Sequence, residues 1–324
     1  MGATQFQAIL QALRQRQMTF DEVAALQGLL ATAMQGDECF ALIEAAAGRP
    51  PCPRCTCPRC HRSGAANGLQ RFRCTACGRT FNALTGTPLA RLRLRDKWLA
   101  YLTCLLESTT VRAAAERVAV APSTSFRWRH RFIAGVRREH RPKLSHIVEA
   151  DETYLLESQK GSRHLTRPAR KRGGKARRRG VSKEFDCILV ARDRSRVTHD
   201  FVTGRGPVSA AQLRTHLLPV LAPDILLISD AAKAYQAFAQ AAGLTHEVVN
   251  VRAGIRARGA FHIQNVNGWH SRFKGWLQRF HGVASRYLAN YTGWQRVLDA
   301  GSPATPLDWL RIGVAPGRYG PGCQ

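Results

Sequence analysis

The 324-residue chain carries 49 Lys and Arg against 22 Asp and Glu, a formal net charge of +27, and its pI is near 11.0. Such an excess calls for a polyanionic partner, nucleic acid first of all. With 44% hydrophobic residues the chain can build cores, which excludes a disordered basic tail. It has no apolar run of roughly 18 residues or more, and its start, MGATQFQAIL, has no basic region leading into an apolar core, so a soluble, unexported protein is expected.

Residues 1–48 read as a helical lead-in. Apolar positions recur at helical spacing in FQAILQALRQ, and Thr19 with Glu22 forms a capping-box pattern before VAALQGLLATAM. The segment carries no chemistry of its own and is expected to serve packing or docking.

Residues 49–88 contain six of the ten cysteines, all between Cys52 and Cys77. Clustering of this kind in an unexported chain indicates metal rather than disulfides. Two Cys-x-x-Cys knuckles joined by a Gly-containing hairpin predict a zinc ribbon, in which four thiolates hold a structural Zn²⁺ and fold a segment too small for a core of its own. Either Cys52 and Cys55 or Cys57 and Cys60 can supply the first knuckle opposite Cys74 and Cys77. The preferred ligand set is Cys52, Cys55, Cys74 and Cys77, with Cys57 and Cys60 as surplus thiols. Arg71, Arg73 and Arg79 beside the hairpin suit phosphate contact.

Residues 89–142 read as a helix-turn-helix-like DNA-binding region. Leu99, Leu102 and Leu106 line a first helix, VRAAAERVAV is a second, and after Ala121-Pro122 a third is capped by Ser123 or Thr124. The third helix bears Arg127, Arg129 and Arg131 with almost no acid nearby, so these arginines are its expected DNA contacts.

Residues 143–300 carry the main domain. Strand patterns at 146–154, 185–192 and 197–203 precede a helical stretch at about 208–221, the strand DILLIS, the helix AAKAYQAFAQAA, the strand HEVVN and a helix beginning near Val266. This order predicts a ribonuclease H-like α/β domain with a mixed five-stranded sheet, making the whole chain an α+β multi-domain protein. Asp151 falls on the first strand, Asp230 ends the fourth, and Asn267 lies on the last helix, so residues distant in sequence converge on one site. Two Asp and an amide oxygen suit Mg²⁺ or Mn²⁺ when phosphate supplies further ligands, and a two-ion site can stabilise both the attacking and the leaving oxygen of phosphodiester cleavage. Lys274, seven residues after Asn267 on the same helical face, is placed to steady the scissile phosphate.

Each candidate has a plainer counterpart. Glu149 shares the strand face of Asp151 and is either an extra acid near the metals or a surface salt-bridge partner, while Glu152 faces away. Asp230 can serve as a helix N-cap. His262 and His270 either polarise phosphate or satisfy a polar rim, and Glu247, entering a strand, is a weaker substitute for the third acid. Between Glu157 and Glu184 lie eleven Lys or Arg and no acid. This basic insertion, 157–184, is expected to stay extended by self-repulsion and to order on DNA, with Arg170, Lys171, Arg172, Arg177, Arg178 and Arg179 meeting phosphates. Trp269, Trp276, Phe280, Tyr287, Tyr291 and Trp294 are assigned mostly to core, and the Pro/Gly-rich tail 301–324 reads as disordered.

The segments ADETY, ISDAAKAY, HIQNVNGWHSRFKGW and FHGVASRYLANYTGW, with the Cys-rich ribbon and the FRWRHRF helix, resemble the ISXO-type bacterial insertion-sequence transposases over about residues 48–296. The resemblance implies a DDE-type transposase that cuts double-stranded DNA at terminal inverted repeats and joins the freed 3′-hydroxyl to target DNA. It matches Asp151 and Asp230 to the first two acids, Asn267 to a third position where this branch carries Asn, and Lys274 to the following lysine. A homodimer or larger assembly on DNA is expected, because two ends must be held together, acting in the cytoplasm at the bacterial nucleoid. Two other readings share these residues: a non-catalytic zinc-ribbon and helix-turn-helix DNA-binding protein, and a related two-metal nuclease without strand transfer.

Overall fold

The computed structural model describes residues 3–15, 17–48, 50–137, 141–171, 173–249, 259 and 261–314. The chain forms two compact units, one of Met1–Phe132 with Thr305–Gln324 and the other of Ile133–Ala304.

In the first unit, α1 (Ala3–Arg14) and α2 (Phe20–Ala47) make the lead-in. The capping box forms as expected: Thr19 accepts the Glu22 amide, and the Glu22 carboxylate accepts the Thr19 amide at 2.8 Å. Three short strands follow, β1 (Cys60–Ala66), β2 (Leu69–Cys74) and β3 (Thr80–Phe81), in the order β1-β2-β3. Asn67 and Gly68 make the β1–β2 turn with φ of 53° and 76°, the doubly positive pair that a two-residue hairpin demands and that Asn-Gly supplies with least strain.

Helices α3 (Trp98–Leu106), α4 (Val111–Arg117) and α5 (Pro122–Arg137) bear out the three-helix reading. Helix α5 starts at Pro122 rather than after Ser123 or Thr124, which puts proline in the first turn, where its missing N–H costs nothing. Within the first turn the Ser125 hydroxyl donates to the Val111 carbonyl. The tail expected to be disordered contains α10 (Pro306–Val314), capped by Thr305 and Asp308. Trp309 of α10 is fully buried and donates its indole N–H to the Phe132 carbonyl. The anchor is a Thr-x-x-Asp cap followed by apolar positions at helical spacing, which the Pro/Gly content of the surrounding tail masked. Residues 315–324 lie outside the described residues.

The second unit is a five-stranded sheet of order β6-β5-β4-β7-β8. Its strands are β4 (Ile147–Leu156), β5 (Phe185–Asp193), β6 (Thr198–Arg205), β7 (Leu226–Ser229) and β8 (Thr245–Val248). β4, β5 and β6 pair antiparallel, whereas β7 runs parallel to β4 and β8 parallel to β7, giving the mixed sheet expected from the element order. Alternate residues of the central strands face opposite layers. Val148, Ala150, Leu189 and Leu227 pack with Leu213 of α6 (Ala210–His216) and with Tyr235 and Phe238 of α7 (Lys233–Ala242). Ile188 and Val190 face the other way and pack with Val266, Trp269 and Phe273 of α8 (Gln264–Gln278). Each of these three α8 side chains is fully buried, a contribution of about 1.5–3 kcal/mol apiece, so α8 is fixed to the sheet by its apolar stripe. Trp276, Phe280, Tyr291 and Trp294 form an aromatic cluster between α8 and α9 (Leu288–Ala300), as expected of core residues.

Candidate active site and metal centre

Asp151 sits in the middle of β4, opposite Val190 of β5. On its other side β7 runs parallel with Glu149 opposite Ile228, and continuing that register by two residues sets Asp230 beside Asp151, on strands about 4.8 Å apart. Strand β7 ends at Ser229, so Asp230 emerges at its carboxyl end. It is not the N-cap of α7, which is Ala232; its Oδ1 instead accepts the Ala232 amide at 3.0 Å and holds the strand-to-helix turn.

The opposite wall is α8. Nδ1 of His270 lies 3.9 Å from Oδ2 of Asp151, which turns this face of the helix toward β4. Asn267 is one turn before His270 and Lys274 one turn after it, and both are exposed, so helical spacing gathers the three on the Asp151 side. Burial and the Lys274 charge push His270 down to about 3, so it stands beside Asp151 as a neutral imidazole and the contact is polar rather than ionic. Its Nε2 is buried without a hydrogen-bond partner.

Electrostatics mark the same spot. Burial raises Asp151 to about 7, the neighbouring Glu152 and Asp230 carboxylates push in the same direction, and Lys274 opposes them. Glu152 points to the other face, as its strand position predicts, where Tyr235 and Tyr154 donate their hydroxyls to it. Burial raises Glu152 too, and Asp230 adds to the effect. Crowded carboxyl groups with few compensating cations favour a divalent ion, and Asp151 and Asp230, with an amide oxygen from Asn267, are the hard oxygen donors such an ion takes.

Glu149 is a salt-bridge partner, as expected, but of the interior rather than the surface. It is fully buried, and its carboxylate accepts the Asn265 amide at 2.8 Å, the Val266 amide at 3.1 Å and the Asn265 side-chain amide at 2.7 Å. Arg194 pairs with it at 2.9 Å and His262 lies 3.3 Å away, so His262 belongs to this cluster. A signal was present in the sequence: the N-cap position of α8 is Ile263, which has no capping side chain, so beyond the Gln264 amide taken by His262 the first N–H groups need an acceptor from elsewhere. Glu247 lies on edge strand β8, one strand further from β4 than Asp230.

In the first unit, Cys52, Cys55, Cys74 and Cys77 converge with their sulfurs all within 4.8 Å of one another. Cys52 and Cys77 are 3.7 Å apart, Cys55 and Cys74 3.5 Å. Four sulfurs about 2.3 Å from a tetrahedral zinc are separated by roughly 3.8 Å, so the cluster has the dimensions of a zinc site. Amide hydrogen bonds from Cys77 and Ala76 help draw Cys74 down to about 6, which favours the thiolate a metal needs. Cys57 and Cys60 fall outside the cluster and donate to backbone carbonyls of Arg59 and Cys57. Among the described residues this is the one group of three or more Cys, His, Asp or Glu gathered so closely.

The expected DNA contacts divide. Arg127 and Arg131 are exposed on one face of α5, but Arg129 is 1% exposed and donates to the Thr109 carbonyl, because it falls on the helix face turned toward α3 and α4. In the basic insertion Lys171, Arg177, Arg178 and Arg179 are exposed. Arg170 is tied to the Glu157 carbonyl and to Glu184 at 3.3 Å, and Arg172 lies outside the described residues. The insertion is therefore organised by the two acids at its ends: Glu157 binds Arg167 at 2.7 Å and Arg205 at 2.8 Å, while Glu184 accepts the amides of Arg177 and Arg178. No described helix is long and apolar enough to cross a membrane.

The ISXO2-like transposase domain family matches residues 143–294, the span that holds the sheet, both aspartates and α8. The chain is also similar to an uncharacterized protein in transposable element ISH50 of Halobacterium salinarum, 28% identical over 243 residues that cover 74% of this chain and 82% of that protein. Crystal structures of the mariner Mos1 paired-end complex with Mn and with Mg match at 16% and 17% identity. They cover 68% and 67% of this chain and 76% and 75% of theirs, with TM-scores of 0.28 and 0.27, which are too low to add to the reading of the fold. The matched span thus falls within the sheet unit, where Asp230 stands just past the carboxyl end of β7 and Asp151 at the centre of β4.

Proposed function

We propose that the chain is a metal-dependent DNA transposase that cuts at the terminal inverted repeats of its element and joins the freed ends to target DNA. The observation that carries this reading is the parallel β4–β7 register, which, extended two residues past its last pair, brings Asp230 beside Asp151, whose carboxyl group feels the Asp230 charge and faces His270 of α8.

Asp151 and Asp230 would hold Mg²⁺ or Mn²⁺ with the Asn267 side-chain oxygen, and the bound ions supply positive charge at the attacking and leaving oxygens of the phosphodiester. In cleavage a water oxygen bonds to phosphorus as the P–O3′ bond breaks, and the departing 3′-oxygen takes up a proton. In joining, that 3′-hydroxyl loses its proton and bonds to a target phosphorus while the target P–O3′ bond breaks, so phosphodiester bonds are conserved and no bond to the protein forms. Lys274 neutralises charge on the transferring phosphate. With Asn in place of a third acid the site carries one negative charge fewer, which weakens its hold on a second ion.

The remaining features serve DNA. Cys52, Cys55, Cys74 and Cys77 would hold a structural Zn²⁺ that fixes the ribbon, and Arg127, Arg131, Lys171, Arg177, Arg178 and Arg179 offer exposed cations to phosphates of the terminal repeats or the target. Two ends must be held together for joining, so at least a dimer forms on DNA. The test is cleavage and joining of a labelled duplex bearing the element's ends with Mg²⁺ or Mn²⁺. Cutting without joining would identify a nuclease, and binding without cutting a DNA-binding protein only.

A further inference from the structure

Glu149 and Asp151 lie two residues apart on one face of β4, and Val266 and Asn267 are adjacent on α8. A single carboxylate joins the two pairs. Glu149 accepts the amide N–H groups of Asn265 and Val266, the donors that follow the Gln264 amide held by His262 Nδ1 at 3.3 Å in the first turn of α8. Arg194 and His262 close around the same carboxylate, which has no exposure to solvent. From Asp151 to Asn267 the connection is thus two strand residues, one carboxylate and one helical residue.

We infer that Glu149 is a positioning residue for the active site, its carboxylate fixing the amino-terminal turn of α8 so that Asn267 meets the ions held by Asp151 and Asp230. The inference rests on the proposed metal site and adds to it a residue that touches neither metal nor DNA. Three features separate it from an ordinary buried acid. Its acceptors are spent on the one helix end that carries Asn267. Its charge complements the positive end of that helix. Arg194 neutralises it, so it does not compete for the divalent ion.

Shortening the side chain in Glu149→Asp keeps the charge but withdraws the carboxylate by one methylene, and Glu149→Gln keeps the length while removing the charge. Full-length wild type, both variants and Asp151→Ala are compared by three readouts: hydrogen exchange of the 264–267 amides without metal, Mn²⁺ binding followed by electron paramagnetic resonance, and the Mn²⁺ concentration for half-maximal cleavage. The inference predicts faster exchange at 264–267 in both Glu149 variants, at least tenfold weaker Mn²⁺ binding, and a matching rise in the half-maximal concentration, with DNA-end binding unchanged. Wild-type exchange and Mn²⁺ binding in both variants would overturn it. Should wild type bind no Mn²⁺, or Asp151→Ala bind it equally, the metal site itself fails, whatever the exchange data show for Glu149. If Glu149→Gln does not fold, Glu149→Asp and Arg194→Lys carry the same comparison.

Discussion

Oδ2 of Asp151 and Nδ1 of His270 lie 3.9 Å apart, which sets the second turn of α8 against the centre of β4. The imidazole is uncharged and its Nε2 has no hydrogen-bond partner, so it contributes a polar wall to the carboxylates rather than a counter-ion. Replacing His270 with Ala is expected to leave the fold and DNA binding in place while lowering the cleavage rate about tenfold to a hundredfold, the scale associated with a lost supporting contact beside metal ligands. Single-turnover cleavage rates with circular dichroism as a folding control would measure this, and an unchanged rate would make His270 a bystander.

The ribbon offers a sharper contrast. Cys52→Ser and Cys74→Ser each remove one of the four converging sulfurs and are expected to lose the metal and unfold the hairpin, whereas Cys57→Ser and Cys60→Ser are expected to retain one zinc per chain. Zinc content of the purified variants decides it. Loss of zinc from Cys57→Ser would reassign the first knuckle.

Acid stability should fall through a defined window. His199 is buried and donates to the Pro142 carbonyl at 2.9 Å. Burial, then the Arg141 charge, lower it to about 4; the Pro142 hydrogen bond and Asp200 oppose the shift, and Arg296 adds to it. The unfolded chain takes up this proton near pH 6.5 and the folded chain only near pH 4, so the stabilisation is intact above pH 6.5 and lost as pH falls toward 4. The full effect is about 3 kcal/mol. Denaturant melts at intervals from pH 7 to 4 should show a shallower fall for His199→Gln than for wild type.

Asp200 holds a buried charge network in the sheet unit. Arg296 reaches it at 2.7 Å and Arg141 at 3.3 Å, while Thr292 donates its hydroxyl at 2.6 Å. Removing the carboxylate strands two guanidinium groups, Arg296 with 6% of its side chain exposed and Arg141 with 19%, so Asp200→Ala is expected to destabilise by about 3–5 kcal/mol. A chemical denaturation midpoint matching wild type would contradict this.

Among the arginines of α5, Arg127→Ala and Arg131→Ala should each weaken DNA binding and lower the slope of log affinity against log salt by about 1. Arg129→Met should act on stability instead, since the guanidinium is inside the fold on the Thr109 carbonyl. Fluorescence anisotropy across a salt series distinguishes the two behaviours.

What could be read from the sequence and what could not follow a physical division. The alternation in β4 and β5 and the apolar stripe of α8 are local patterns, and they gave the sheet order its elements. The Cys-x-x-Cys spacing narrowed the thiol cluster to two alternatives with Cys52 and Cys55 preferred, and the fold of the hairpin gathers that set. Glu149 looked like a surface acid because its acceptor role is created by a helix more than a hundred residues away. Arg129 looked like its neighbours because charge composition does not say which face of a helix turns inward. The insertion 157–184 looked self-repelling because its counter-ions, Glu157 and Glu184, stand at its boundaries and the structure folds them back onto it. Helix α10 was hidden by the Pro and Gly around it, although Thr305 and Asp308 announce its start.

The most direct test is cleavage and joining of a labelled duplex carrying the element's own ends, with Mg²⁺ or Mn²⁺, by wild type and by Asp151→Ala, Asp230→Ala and Asn267→Ala. The account predicts metal-dependent cutting and joining by wild type, a loss of at least a thousandfold for either aspartate variant, a marked loss for Asn267→Ala, and retained DNA binding in all three. Wild-type cleavage rates in Asp151→Ala or Asp230→Ala would contradict it.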